Sequence, residues 1–160
     1  MGHSINAVVG LAESVASIVE AAGCPPATEL SFGLVIAPLG HAQIDQLTGC
    51  EPSEVAKGFK YLSPALERGL FNAAGGGFAY IETDYFGGVG SQAAAIFSGR
   101  LPATLLADED AKAPPRPESP INSALRSLGV RAAPGQDEFD TVGIGRFRDL
   151  KALGLEWVDD

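Results

Sequence analysis

The chain has 160 residues, of which 46% are apolar and 19% charged, and its net charge is -9 because 20 acidic residues face only 11 basic ones. This length suits one domain, and this hydrophobicity excludes global disorder. The shortage of clustered Lys and Arg argues against binding to nucleic acid. We therefore expect a single globular domain over residues 1–160 that binds no nucleic acid.

The N-terminal third predicts two helices and a strand between them. Apolar residues recur at spacings of three and four over 5–22, with Ser4 as the N-cap and Gly23 as the stop, which is typical of an amphipathic helix. A short apolar run at 30–37 is typical of a buried strand. The pattern at 41–47 predicts a second, short helix.

Two Ser-Pro pairs mark further helix starts, because serine caps a helix and proline suits its first position. The pair at 63–64 predicts a helix that ends before the glycines at 75–77, and the pair at 119–120 predicts a helix that ends at Gly129. A short helix is also predicted at 137–142.

Residues 78–106 predict the centre of a sheet. Aromatic and β-branched residues at 78–86, a glycine-rich turn and an apolar run at 91–97 indicate an antiparallel hairpin. A third strand is predicted at 101–106, where Pro102 confines it to an edge or a bulge. The expected fold class is α+β, with a central antiparallel sheet that includes this meander and is flanked by several helices.

The acidic excess collects mostly in predicted loops. Asp108, Glu109 and Asp110 begin a segment that runs to Glu118, contains three prolines and is predicted to be an exposed loop. An acidic surface of this kind can steer and bind a basic protein. We therefore predict that these three residues, together with Glu82 and Asp84, contact a protein partner.

A second group of candidate residues follows the predicted hairpin. Glu82 and Asp84 point to one face of a strand, because side chains alternate with a period of two. Two such carboxylates can ligate a hard cation or divide acid and base roles, but they also suit the solvated face of a half-exposed sheet, and both readings stay open. The same candidate binding region includes Tyr85, Gly87, Gly88, Gly90 and Gln92.

Known cofactor and metal motifs are missing from the sequence, so no cofactor, metal site or catalytic residue is predicted. The glycines lack the Lys-Ser/Thr ending of a phosphate-binding loop, and Cys24 and Cys50 lie in no metal-binding spacing. Whether the two cysteines pair or stay free is left open. A secretory signal and a run of about twenty apolar residues are also missing. We therefore predict a cytoplasmic protein without membrane association.

The stretch YIETDYFGGVGSQAA at 80–94 resembles a segment of small bacterial proteins of unsettled function, some of which look like immunity proteins that neutralise a cognate toxin. The stretch SPINSALRSLGV at 119–130 is similar to a helix in the same proteins. The resemblance implies a non-enzymatic inhibitor that occludes a basic toxin domain, and it implies no catalytic residue.

Two alternatives remain beside the inhibitor hypothesis. The first is a small enzyme or ligand-binding domain, whose site would include Glu82, Asp84 and the glycine turn. The second is a homodimer formed through an exposed strand edge at 101–106.

Overall fold

Strands and helices alternate along much of the chain. The computed structural model describes residues 2–86, 89–112 and 118–155. Within these residues it contains six strands, five α-helices and two 3-10 helices. In chain order these are β1 (His3–Leu11), α1 (Ala12–Ala22), β2 (Thr28–Glu29), β3 (Leu34–Pro38), α2 (His41–Thr48), α3 (Pro64–Ala73), β4 (Phe78–Phe86), β5 (Val89–Phe97), β6 (Thr104–Lys112), α4 (Pro120–Ser127), α5 (Glu138–Val142) and the 3-10 helices Ile144–Arg146 and Lys151–Leu153.

The six strands make one antiparallel sheet in the order β2-β3-β1-β4-β5-β6. β1 lies inside the sheet between β3 and β4, and β4, β5 and β6 form the predicted meander. The expected α+β class, with a central antiparallel sheet and flanking helices, is confirmed.

Helices cover both faces of the sheet and create two hydrophobic cores. On one face, Tyr80 of β4 packs in a cluster with residues of α1 and α3, including Ile18 and Leu66. On the other face, Ile81 packs in a cluster with residues of α4 and α5, including Leu125. The alternation of side chains along β4 therefore assigns each of its residues to one of the two layers.

The prediction of one long helix from residue 5 is wrong in its first half, because His3–Leu11 is a strand and only Ala12–Ala22 is helical. Residues 5–10 are buried without interruption. A strand that is covered on both faces loses its polar–apolar alternation, so its apolar run also matches helical spacing.

The prediction of a loop at 108–118 is also wrong where it begins, because β6 continues to Lys112 and includes all three acidic residues. β6 is the last strand of the sheet, and an edge strand tolerates charges because one of its sides faces solvent. The third strand does lie at the edge of the described sheet, but the predicted bounds of 101–106 are wrong: β6 begins at Thr104, so Pro102 precedes it and cannot be what confines it to the edge. Residues 113–117 lie outside the described residues.

The helix starts at the two Ser-Pro pairs and the β4–β5 hairpin were predicted correctly. The Ser63 hydroxyl accepts a hydrogen bond from Leu66 N at 3.1 Å and caps α3. The second Ser-Pro pair precedes α4, and the predicted helix at 41–47 corresponds to α2. Both cysteines are free thiols.

Candidate functional site

The predicted acidic pair lies on the sheet face that α1 and α3 cover. Across the strands, Ser4 and Ser91 flank Asp84, while Asn6 flanks Glu82. The resulting polar cleft is completed by the loop before α3, and its lining includes Ser4, Asn6, Lys60, Tyr61, Glu82, Asp84 and Ser91.

Glu82 is 5% exposed and is a fully engaged acceptor. Its Oε1 accepts a hydrogen bond from Lys60 N at 2.6 Å, and its Oε2 accepts from Tyr61 N at 3.0 Å and Leu62 N at 3.1 Å. The Tyr80 hydroxyl donates a further bond to Oε2 at 2.7 Å. Because four donors meet one carboxylate, Glu82 holds the 60–62 loop against the sheet and has little capacity left for a substrate.

Asp84 lies nearer the surface and forms an ion pair with Nζ of Lys60. The two side chains are 41% and 52% exposed, so solvent screens the pair and its contribution to stability is small. The cleft itself has a volume of about 30 Å³. That space suits one water molecule rather than an organic substrate.

Tyr85 and Gln92 belong to the opposite face, beneath α4. Gln92 Nε2 donates to the Tyr85 hydroxyl, and Gln92 Oε1 accepts from Ile121 N at 2.9 Å, so Gln92 links β5 to the first turn of α4. Burial raises the pKa of Tyr85, the bond from Gln92 opposes that rise, and the charges of Asp108 and Asp137 add to it. The structure therefore divides the predicted region between two faces of the sheet.

Gly90 has a steric role in the hairpin. A Cβ at this position would lie 1.8 Å from the Asp84 carbonyl oxygen, so the two strands approach too closely for any side chain here. The pairing of β5 with β6 shifts register between Gly90 and Gln92, where two residues of β6 lie opposite Ser91, as in a β-bulge. The other two candidate glycines, Gly87 and Gly88, lie outside the described residues.

The acidic residues Asp108, Glu109 and Asp110, which we call the acidic edge, lie along β6. Glu109 and Asp110 are exposed and Asp108 is partly buried. Asp108 Oδ1 accepts a hydrogen bond from Asp110 N at 3.0 Å, so the bulge is held locally. None of the ion pairs between described residues includes these carboxylates.

An apolar tip lies beside the acidic edge. Phe86 is 82% exposed and Val89 is 56% exposed, and the two residues face each other at the end of the hairpin. Val89 also pairs with Lys112 at the end of β6. Large apolar side chains this exposed are uncommon at neighbouring positions and often mark contact surfaces.

The sequence did not indicate the main partners of Glu82. They are backbone amides of residues 60–62, in the loop between α2 and α3, and backbone groups leave no pattern in the sequence. The sequence did carry one sign of a polar position beside Glu82: Asn6 is the single side-chain amide within an apolar run. Its Nδ2 donates a hydrogen bond to the Leu39 carbonyl oxygen. A buried strand tolerates such a residue only where it finds a partner.

The described residues contain neither a metal-binding cluster nor a helix that could span a membrane. In 2–86, 89–112 and 118–155, no group of three His, Cys, Asp or Glu side chains is placed to hold a metal ion. None of the helices in this part of the chain has both the length and the apolar character needed to cross a bilayer. No family model, curated protein or solved structure matches the chain.

Proposed function

We propose that the chain is a non-enzymatic protein-binding module, an immunity-type inhibitor that binds a basic toxin domain along β6. The observation that carries this proposal is the acidic edge, which lies on β6, the last strand of the described sheet, next to the apolar tip of Phe86 and Val89. Protein interfaces commonly combine apolar anchors with a charged rim in this way.

The charge of the acidic edge favours a basic partner over a second copy of the chain. Pairing β6 with another β6 would bring the acidic residues of both copies close together, and like charges opposed across strands are destabilising. A strand or loop rich in Lys and Arg would instead meet complementary charge, which speeds encounter and fixes register. The segment 80–94 resembles small bacterial proteins of unsettled function, and those among them that look like immunity proteins would have the same class of partner.

The geometry supports catalysis around Glu82 and Asp84 less well. Glu82 already accepts four hydrogen bonds, Asp84 is paired with Lys60, and the cleft between them holds little more than one water molecule. Tyr85 and Gln92 are on the other face and bind each other. These residues therefore fit a structural role in the sheet.

The proposal is tested by binding to the product of the neighbouring reading frame in the genome, measured by calorimetry. The test variant replaces Asp108, Glu109 and Asp110 together with Lys. The matched control replaces Glu13, Glu20 and Glu54 with Lys, because these residues are exposed and the change in net charge is identical.

We expect the acidic-edge variant to bind at least about 100-fold more weakly, and the control to lose far less affinity, because specific charge pairs contribute more than net charge. Higher salt should weaken the wild-type complex. Equal loss in both variants would assign the effect to net charge alone. A neighbouring product that neither binds the chain nor is neutralised by it would refute the proposal.

A further inference from the structure

An apolar pocket unrelated to β6 lies at the opposite end of the β4–β5 hairpin. It opens between the end of α3, the start of β4 and the turn after β5, and its volume is about 220 Å³. Its lining includes Phe71, Ala74, Gly76, Phe78, Phe97 and Arg100.

Two stacked aromatic rings form the buried wall of this pocket. Phe78 and Phe97 are 1% and 4% exposed, and their ring centroids are 4.4 Å apart with an interplanar angle of 9°. Phe71 adds a third ring at the end of α3. Because these two rings stack on each other and are almost fully buried, they offer a guest their edges rather than their faces, which favours an edge-to-face contact with a flat apolar group.

Small residues in the lining leave space in the pocket. Ala74 contributes at most a methyl group, and Gly76 and Gly99 carry no side chain. An apolar cavity of about 150 Å³ is enough to bind benzene, so 220 Å³ leaves room for a ring with a short substituent. The volume is small for a drug-sized ligand and suits a compact one.

Arg100 is the charged residue in this lining, and it determines the chemistry of the guest. Its side chain is exposed at the turn after β5, and it forms no ion pair with any residue that the structure describes. A guanidinium group binds carboxylates through two parallel hydrogen bonds. In a chain of net charge -9, an unpaired cation beside an apolar pocket supplies a local attraction for an anion.

We propose that this pocket binds a small monocarboxylic acid with a flat apolar group, with the ring against Phe78 and Phe97 and the carboxylate on Arg100. This inference does not depend on the function proposed for β6. The two surfaces share no residue, so either proposal can fail while the other holds.

The test is an NMR titration of the full-length, ¹⁵N-labelled chain with phenylacetate, and with phenylacetamide as a neutral probe of the same shape. We expect saturable shifts in the amides around 74–78 and 97–100, with a Kd for phenylacetate of about 1 mM or below. Phenylacetamide should bind more weakly at the same place.

Two arginine variants separate the specific contact from general charge. Arg100→Gln should raise the Kd for phenylacetate at least about tenfold and leave that for phenylacetamide unchanged. The matched control is Arg131→Gln, which removes an exposed arginine on the α4 side and should leave both values unchanged. Ala74→Leu fills the pocket and should abolish binding of both probes.

Three results would overturn the proposal. These are the absence of saturable shifts with either probe, shifts that map away from the pocket, and unchanged phenylacetate affinity in Arg100→Gln. Because Arg100 is exposed, its replacement should not impair folding, and the arginine pair remains informative even if the Ala74 variant unfolds.

Discussion

Tyr80 and Glu82 are joined by a hydrogen bond of 2.7 Å between side chains two residues apart on the same face of β4. Both side chains are buried, and the same carboxylate also accepts three backbone amides from the loop before α3. Burial, together with the adjacent Glu82 charge, raises the pKa of Tyr80 well above its usual value. The hydroxyl therefore remains a donor throughout the neutral range.

Replacing Glu82 with Gln should destabilise the chain by about 3 kcal/mol. The side-chain NH2 of Gln would face an N–H or O–H group that now donates to Glu82, and the negative charge that strengthens the remaining hydrogen bonds would be lost. Urea unfolding measures this loss. The matched control is Asp84→Asn on the same face, which should cost less than about 1 kcal/mol since its pair with Lys60 is exposed. Similar losses in the two variants would contradict the anchoring role.

His3 should make the fold sensitive to mild acid. Its ring nitrogens lie 2.8 Å from Thr83 Oγ1 and 3.3 Å from the Ile144 carbonyl oxygen. Burial lowers its pKa below 6.5 and the Arg148 charge adds to this, while the bond to Ile144 opposes it. Unfolded chains therefore take up the proton first, so the stability from His3 is present above pH 6.5 and is lost as pH falls below it.

The measurement is the free energy of unfolding between pH 7.5 and 5 for the wild type and for His3→Asn. The wild type should lose up to about 1.4 kcal/mol more per pH unit than the variant over the range that His3 controls. The control is His41→Asn, which removes the exposed histidine. The assignment would be contradicted if His41→Asn reduced the pH dependence of the unfolding free energy while His3→Asn left it the same as in the wild type.

The two cysteines should differ in reactivity. Burial raises the pKa of Cys24 to about 11, and its Sγ lies 3.4 Å from the Pro38 carbonyl oxygen, whereas Cys50 is exposed. At pH 8 only about one Cys24 thiol in a thousand is ionised, and the thiolate is the reactive form.

Iodoacetamide should therefore modify Cys50 at least about tenfold faster than Cys24 in the folded chain, as followed by mass spectrometry. In urea the difference should disappear. Cys50→Ser isolates the slow thiol for direct measurement. Equal rates in the folded chain would show that the Cys24 environment differs from the one described.

Gly90→Ala should disrupt the β4–β5 hairpin. The added methyl carbon would lie 1.8 Å from the Asp84 carbonyl oxygen, so the strands must separate or shift register. We expect a loss of at least about 3 kcal/mol, at the upper end for a single substitution. Ser91→Ala, at the next residue, is the control and should change stability by less than about 0.5 kcal/mol. A Gly90 variant as stable as this control would contradict the close approach of the strands.

Local signals in the sequence were sufficient for much of the fold. Ser63 and the Ser-Pro pair at 119–120 predicted two helix starts because the signals for a helix start lie within a few residues, although of the two serines only Ser63 caps its helix through the side chain. The hairpin was predicted because its turn and its β-branched strands adjoin in the chain. β1 was mistaken for a helix because its strand character depends on β3 and β4, which come later in the chain.

The candidate site was harder to predict than the fold for the same reason. Alternation correctly placed Glu82 and Asp84 on one face, but whether a carboxylate is free or occupied depends on distant groups. The backbone amides of Lys60 and Tyr61 donate hydrogen bonds to Glu82, and backbone groups cannot be recognised from the pattern of side chains in the sequence. The acidic edge was mistaken for a loop because its charges resemble loop composition, while its strand pairing comes from β5.

The two helical layers come from separate stretches of the chain, since α1, α2 and α3 all precede β4 and α4 and α5 follow β6. During synthesis, the α4-facing side of β1 therefore leaves the ribosome more than a hundred residues before α4 does. Until then, Ile5, Ala7 and Val9 belong to an uncovered apolar surface on the nascent chain. This apolar surface is therefore open to aggregation and to chaperone binding until the C-terminal helices are synthesised and cover it.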